Sequence, residues 1–143
     1  MGSDEVAALL LDTHVFIWLV SGAEGQLRAE VVSEIQAASR SGRLSIAAIS
    51  IWEVAMLDAR GRIHLGQDCL SWVRSALHRT GVQVVPLGPE IAIDSTRLPG
   101  QPHGDPADRL IISSARYTNS TLVTKDRAII RYAGGGFVRV LEA

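Results

Sequence analysis

The chain has 143 residues, 47% of them hydrophobic and 20% charged, and its 14 Lys and Arg against 15 Asp and Glu give a formal net charge of −1. This is the composition of one ordinary globular domain, and it excludes both a disordered chain and a protein held to nucleic acid by a strong basic field. Cys69 is the single cysteine, so a disulfide framework and a thiolate zinc site are excluded as well.

In chain order, the apolar opening from Val6 to Val20 contains Asp12 and His14, and acidic Asp4 and Glu5 stand where a signal peptide has a basic segment. It is too short and too interrupted to cross a membrane, so a soluble, cytoplasmic protein is expected. Ala7 to Leu11 predicts a strand buried on both faces and ending at Asp12. Val15 to Leu19 predicts a short helix, broken by Gly22 and Gly25. Leu27, Val31, Val32 and Ile35 give helical spacing from Leu27 to Ser39. Leu44 to Ile49 reads as the second strand and Ser50 to Arg60 as the helix after it. Cys69 to Thr80 is an amphipathic helix closed by Gly81, and Val82 to Val85 a strand cut by Pro86. Glu90 to Leu98 is a further helix, followed by a loop over Pro99 to Pro102. Asp105 opens a helix through Tyr117, Thr121 to Val123 is the fourth strand, and Asp126 to Tyr132 a short helix. Gly134 to Gly136 then turn into a last strand over Phe137 to Leu141. No repeat or linker divides the chain, so residues 1–143 are read as one domain. Strands alternating with helices predict βαβ units around a parallel sheet.

Asp12, Glu53, Asp105, Asp108 and Asp126 all fall where a strand gives way to a helix, or in that helix's first turn. A parallel sheet gathers such points in the crevice outside the carboxyl ends of its strands. Crowded carboxylates repel one another unless something neutralises them, and a hard divalent cation such as Mg²⁺ or Mn²⁺ takes oxygen ligands. A carboxylate-held metal with open positions commonly works on phosphate esters. Each acid also has a plainer reading. Asp12 and Asp126 are natural helix caps. Ser50 and Glu53 match a capping box. Asp105 with Pro106 is a helix start, which makes Asp108 the better ligand of that pair. Thr13 and Thr124 either position waters or simply end strands. Trp18, Trp52 and Trp72 fall in helices, where packing is the ordinary role. Arg109 is read as pairing with an acid, while Arg127 and Arg131 are phosphate contacts or an exposed basic face. The four histidines lack zinc spacing.

At these residues the chain resembles the PIN-domain ribonucleases and, among them, the VapC-like toxins of toxin–antitoxin pairs. Leu9-Leu10-Leu11-Asp12-Thr13-His14 is similar to the opening strand and first acid, and Ser50-Ile51-Trp52-Glu53 to the second-acid motif. The segment from His103 through Asp105-Pro106-Ala107-Asp108 to Ile111 resembles the third, and Leu122-Val123-Thr124-Lys125-Asp126 the fourth. The resemblance implies a three-layer α/β/α fold with a parallel five-stranded sheet in the order 3-2-1-4-5. It further implies Mg²⁺- or Mn²⁺-dependent RNA cleavage, a homodimer, and a cognate antitoxin that occludes the acids. Asp12, Glu53, Asp108 and Asp126 take the four acidic positions and Asp105 the subgroup's extra one. Ala107 replaces the usual aromatic. A haloacid-dehalogenase phosphatase would need a second Asp at His14, and a response-regulator receiver a phosphoacceptor after the third strand. The rival from another class is a catalytically silent PIN-like fold serving as a protein- or RNA-binding module.

Overall fold

The computed structural model describes residues 6–102 and 104–143, so Asp4, Glu5 and His103 lie outside the described residues. Five short strands, β1 (Leu9–Leu11), β2 (Leu44–Ala47), β3 (Gln83–Val85), β4 (Thr121–Thr124) and β5 (Val140–Glu142), form one parallel sheet in the order β3-β2-β1-β4-β5. Helices cover both faces: α1 (Thr13–Ser21), α2 (Ala29–Arg40), α3 (Ala48–Ala59), α4 (Cys69–Thr80), α5 (Pro89–Thr96), α6 (Pro106–Tyr117) and α7 (Arg127–Ala133). The three-layer α/β/α architecture and the strand order are those implied by the resemblance.

Strand β1 shows why this sequence builds three layers. All three of its leucines are buried, as a central parallel strand requires. Leu9 and Leu11 point into a cluster with Phe16, Val31, Ile35 and Trp72, whereas Leu10 points into another with Ile111, Ile112, Leu122 and Ile129. The register pairs Leu11 with Ile46 on one side and with Val123 on the other, so the three strands end almost in step. The chain order turns away in opposite directions from the β1–β4 pair, which makes its carboxyl end the switch point where a crevice opens.

Among the boundaries that differ from the sequence expectation, two follow from contacts made in the fold. Strand β2 stops at Ala47, and α3 begins at Ala48 with Ala47 as an N-cap that makes no side-chain bond. The Ser50–Glu53 capping box does not form, because Ser50 is buried in the helix and both side chains are taken up by Thr13. Strand β5 begins at Val140 rather than Phe137. The Phe137 ring packs closely against two glycines: a Cβ on Gly100 would come within 2.6 Å of it and one on Gly135 within 2.8 Å. Gly136, at φ 84°, turns the chain there, so the ladder starts only after that packing is complete.

Candidate active site

Each expected acid is placed by the local rule that governs its helix. Asp12, directly after β1, is the N-cap of α1. Its Oδ1 accepts from the Thr13 amide at 2.8 Å and its Oδ2 from the Thr124 hydroxyl at 2.5 Å. Asp126 is the N-cap of α7, accepting from the Ile129 amide at 3.0 Å. Its own amide donates to Thr124 Oγ1 at 3.0 Å, so Thr124 ties the first acid to the fourth. Asp105 caps α6 by accepting from the amides of Ala107 at 2.8 Å and Asp108 at 3.2 Å. The cap readings of Asp12, Asp105 and Asp126 therefore all hold.

Glu53 is the exception, since it stands inside α3 and accepts from the Thr13 hydroxyl. Thr13 Oγ1 also lies 2.9 Å from the buried Ser50 Oγ. One hydroxyl carries one proton, so when Thr13 gives its proton to Glu53 it accepts from Ser50. Thr13 and Thr124 thus bond the carboxylates directly instead of standing as inert strand ends. The only hint of this in the chain is that each stands within two residues of an acid, in Asp12-Thr13 and Thr124-Lys125-Asp126. Nothing in the sequence pairs Thr13 with Ser50 across 37 positions.

The electrostatics show that the acids converge. Burial, followed by the charges of Asp105, Asp12, Asp126 and Glu53, pushes the Asp108 carboxyl up to about 7. Every other candidate acid is felt at this one side chain. Burial also raises Glu53, with Asp12 and Asp105 adding to the effect and the Thr13 hydroxyl opposing it. Asp12 is raised by burial as well, against the bonds from Thr124 and the Thr13 amide. Isolated acids would not repel in this way, so the cluster favours either protons or a cation.

The donor set consists of carboxylate and hydroxyl oxygens, which suits a hard cation such as Mg²⁺ or Mn²⁺. Among the described residues, no three His, Cys, Asp or Glu side chains form a ready-made coordination shell. The acids are held instead by hydroxyls and cap amides. Two grooves flank the cluster. One is lined by Asp12, His14, Val15, Trp18, Lys125 and Asp126, and the other by residues that include Ile49, Trp52, Glu53, Met56 and Asp105. Of the three tryptophans only Trp72 is core, edge-on to Phe16 at 5.9 Å, while Trp18 is half-buried and Trp52 is exposed. Arg127 pairs with Glu142 at 3.2 Å.

The family model of the PIN domain matches residues 9–135 of the chain. The chain belongs to the PIN-domain family. This PIN domain is 38% identical over 124 residues to Ribonuclease VapC22 of Mycobacterium tuberculosis, covering 87% of this chain and 91% of that protein. Its fold is shared with solved toxin–antitoxin structures at low identity. Against a chain of VapBC2 from Rickettsia felis, solved with a DNA fragment from their promoter, the TM-score is 0.67 at 16% identity, covering 93% of this chain and 96% of that one. Against DNA-bound VapBC from Salmonella typhimurium it is 0.67 at 18%, covering 94% and 97%. A toxin–antitoxin complex from Klebsiella pneumoniae gives 0.62 at 19%, covering 94% and 96%. No helix of this PIN domain, among the described residues, is long and apolar enough to cross a membrane.

Proposed function

We propose that this PIN domain is a metal-dependent endoribonuclease and the toxin of a toxin–antitoxin pair. The observation that carries the reading is Asp108, whose carboxyl is driven to about 7 by burial and four neighbouring acids. Such an arrangement is costly to the fold and finds its use when a cation is bound. Relationship to a protein named a ribonuclease, at 38% identity over most of both chains, supports the substrate class.

Asp12 and Asp108 would hold Mg²⁺ or Mn²⁺ directly, with Glu53 and Asp126 acting through water or a second ion and Asp105 outside them. When bound, the cation supplies a lowered water pKa and stabilises charge on the attacked phosphate. The chain's own part is positional. Thr124 fixes Asp12 against Asp126, and Thr13 fixes Glu53 against α1. Asp108, near neutrality only in the metal-free protein, gains most from the cation's charge, and one of the carboxylates takes the proton from an attacking water. A cognate antitoxin completes the proposal, supported by the toxin–antitoxin character of the structural neighbours, and a homodimeric state and a cytoplasmic location are proposed from the family resemblance.

The test is Mg²⁺- and Mn²⁺-dependent cleavage of total cellular RNA by antitoxin-free protein, beside Asp12→Asn and an EDTA control. Discrete fragments that vanish in both controls are expected. Cleavage by Asp12→Asn at the parent's rate would overturn the assignment of the site. Absence of both cleavage and Mn²⁺ binding would favour the silent binding module.

A further inference from the structure

The groove on the Trp18 side of the acids combines features that catalysis at the carboxylates does not use. Trp18 stands on α1, one turn after His14, and the two rings are tilted at 46° with centroids 5.9 Å apart. Lys125, in the link between β4 and α7, holds Nζ 5.4 Å from the centroid of the Trp18 ring. Together with Asp12, Val15 and Asp126 they line an open groove of about 250 Å³. Lys125 is exposed and next to Asp126 in sequence, yet it forms no ion pair among the described residues. Its ammonium rests on the indole face and remains available to an anion.

Of the other cations near the acids, Arg60 lines the second groove beside Glu53 and Asp105, while Arg127 and Arg131 line neither groove. Arg127 is engaged by Glu142 at 3.2 Å. Arg131 lines a separate hollow with Gln101, Pro102 and Tyr132. A domain with a net charge of −1 and five acids at its reactive edge repels a polyanion, so a cation within the acidic groove has a role that a distant one cannot fill. An aromatic face paired with a cation is the common grip on a single strand, because every base stacks and every nucleotide carries a phosphate.

We propose that Trp18 and Lys125 form the subsite for the nucleotide beside the scissile phosphate of a single-stranded RNA, the ammonium leaving the indole face to pair with the phosphate while the base stacks in its place. The inference rests on the ribonuclease reading above and adds two substrate-binding residues to it. His14 forms the outer wall of the same subsite. Because stacking tolerates any base, the grip adds affinity without fixing a sequence, and target choice is left to the remainder of the surface.

The test measures binding of labelled, random-sequence single-stranded RNA to the Asp12→Asn protein in EDTA across a salt series. Cleavage kinetics follow in the otherwise native chain. Trp18→Ala is expected to weaken binding about 5- to 150-fold, the range for loss of one stacked base, while Trp18→Phe retains most of it. Lys125→Gln is expected to lower the slope of log affinity against log salt by about 0.7, as for one lost phosphate contact on a single strand. In the cleaving protein both changes raise KM and leave kcat and the Mn²⁺ requirement near the parent's. Trp18 also packs against the core, so if Trp18→Ala proves unfolded by circular dichroism, the exposed Lys125→Gln decides. An unchanged affinity and salt slope for Lys125→Gln, in a protein whose parent cleaves RNA, would overturn the subsite and leave the ribonuclease reading standing. A parent that neither binds nor cleaves RNA would overturn both.

Discussion

Replacing Asp108 with Asn should stabilise the metal-free protein at alkaline pH. The carboxyl is displaced from its ordinary value of 3.8 to about 7, mainly by burial and then by four acids. A displacement of that size corresponds to roughly 4 kcal/mol of preference for the neutral form, which solvent screening at a half-open site reduces to about 1–2 kcal/mol. Asn forfeits the attraction of a carboxylate for the α6 N-terminus, typically about 0.3–1 kcal/mol, so the net gain is about 1 kcal/mol. The sign follows from linkage, because the folded protein binds the proton more tightly than the unfolded chain. The full stability is present below the unfolded value near 3.8, declines as pH rises through about 7, and stays low above it. Asn cannot ionise, so its advantage is largest at pH 8 and falls to about a third of that at pH 5. Thermal unfolding in EDTA at the two pH values is the assay, and a rise of about 2–5 °C for Asp108→Asn at pH 8, smaller at pH 5, is expected. The same variant should lose RNA cleavage. A Tm at pH 8 equal to or below the parent's would refute the idea that the acids strain the fold.

Mn²⁺ or Mg²⁺ should reverse the same penalty. At about ten times Kd the ion stabilises by about 1.4 kcal/mol, so a metal titration followed by Tm at pH 8 should show a rise that Asp12→Asn abolishes. Thr13→Val removes the donor to Glu53 and leaves the buried Ser50 hydroxyl unpaired. It should cost about 1–3 kcal/mol in urea unfolding, and Thr13→Ser should restore most of it. Gly100→Ala combines a left-handed φ of 76° with a Cβ that would come within 2.6 Å of the Phe137 ring, so a clear loss of Tm is expected with metal binding unchanged.

The sheet was legible because its signals are local. The uninterrupted run Leu9-Leu10-Leu11 announces a strand buried on both faces, and Asp12, Asp105 and Asp126 each announce a helix start in the residues that follow. The strand order was not legible from periodicity, which reports burial and says nothing of neighbours, and it came from the family resemblance. Ser50 and Glu53 misled, since their spacing satisfies a local capping rule while the fold assigns both to Thr13 from another helix. Trp18 and Trp52 carry the same apolar signal as Trp72, yet only Trp72 is core, because amphipathic spacing cannot tell a buried face from one that lines a groove. Lys125 had no signal at all beyond its neighbours Thr124 and Asp126.

Three of the acids hold helices as well as facing the crevice, and this governs how inactive forms of the protein should be made. Asp12, Asp105 and Asp126 each accept a backbone amide at the start of α1, α6 and α7. An alanine scan would remove a cap together with a charge, at about 0.5–2 kcal/mol for each cap, and would report a loosened helix as a lost catalytic group. Asparagine keeps an oxygen to cap with and removes only the charge. Amide variants are therefore the proper inactive partners for capturing RNA or an antitoxin, and the gap in stability between the Ala and Asn forms at each position measures how far that acid serves as scaffold.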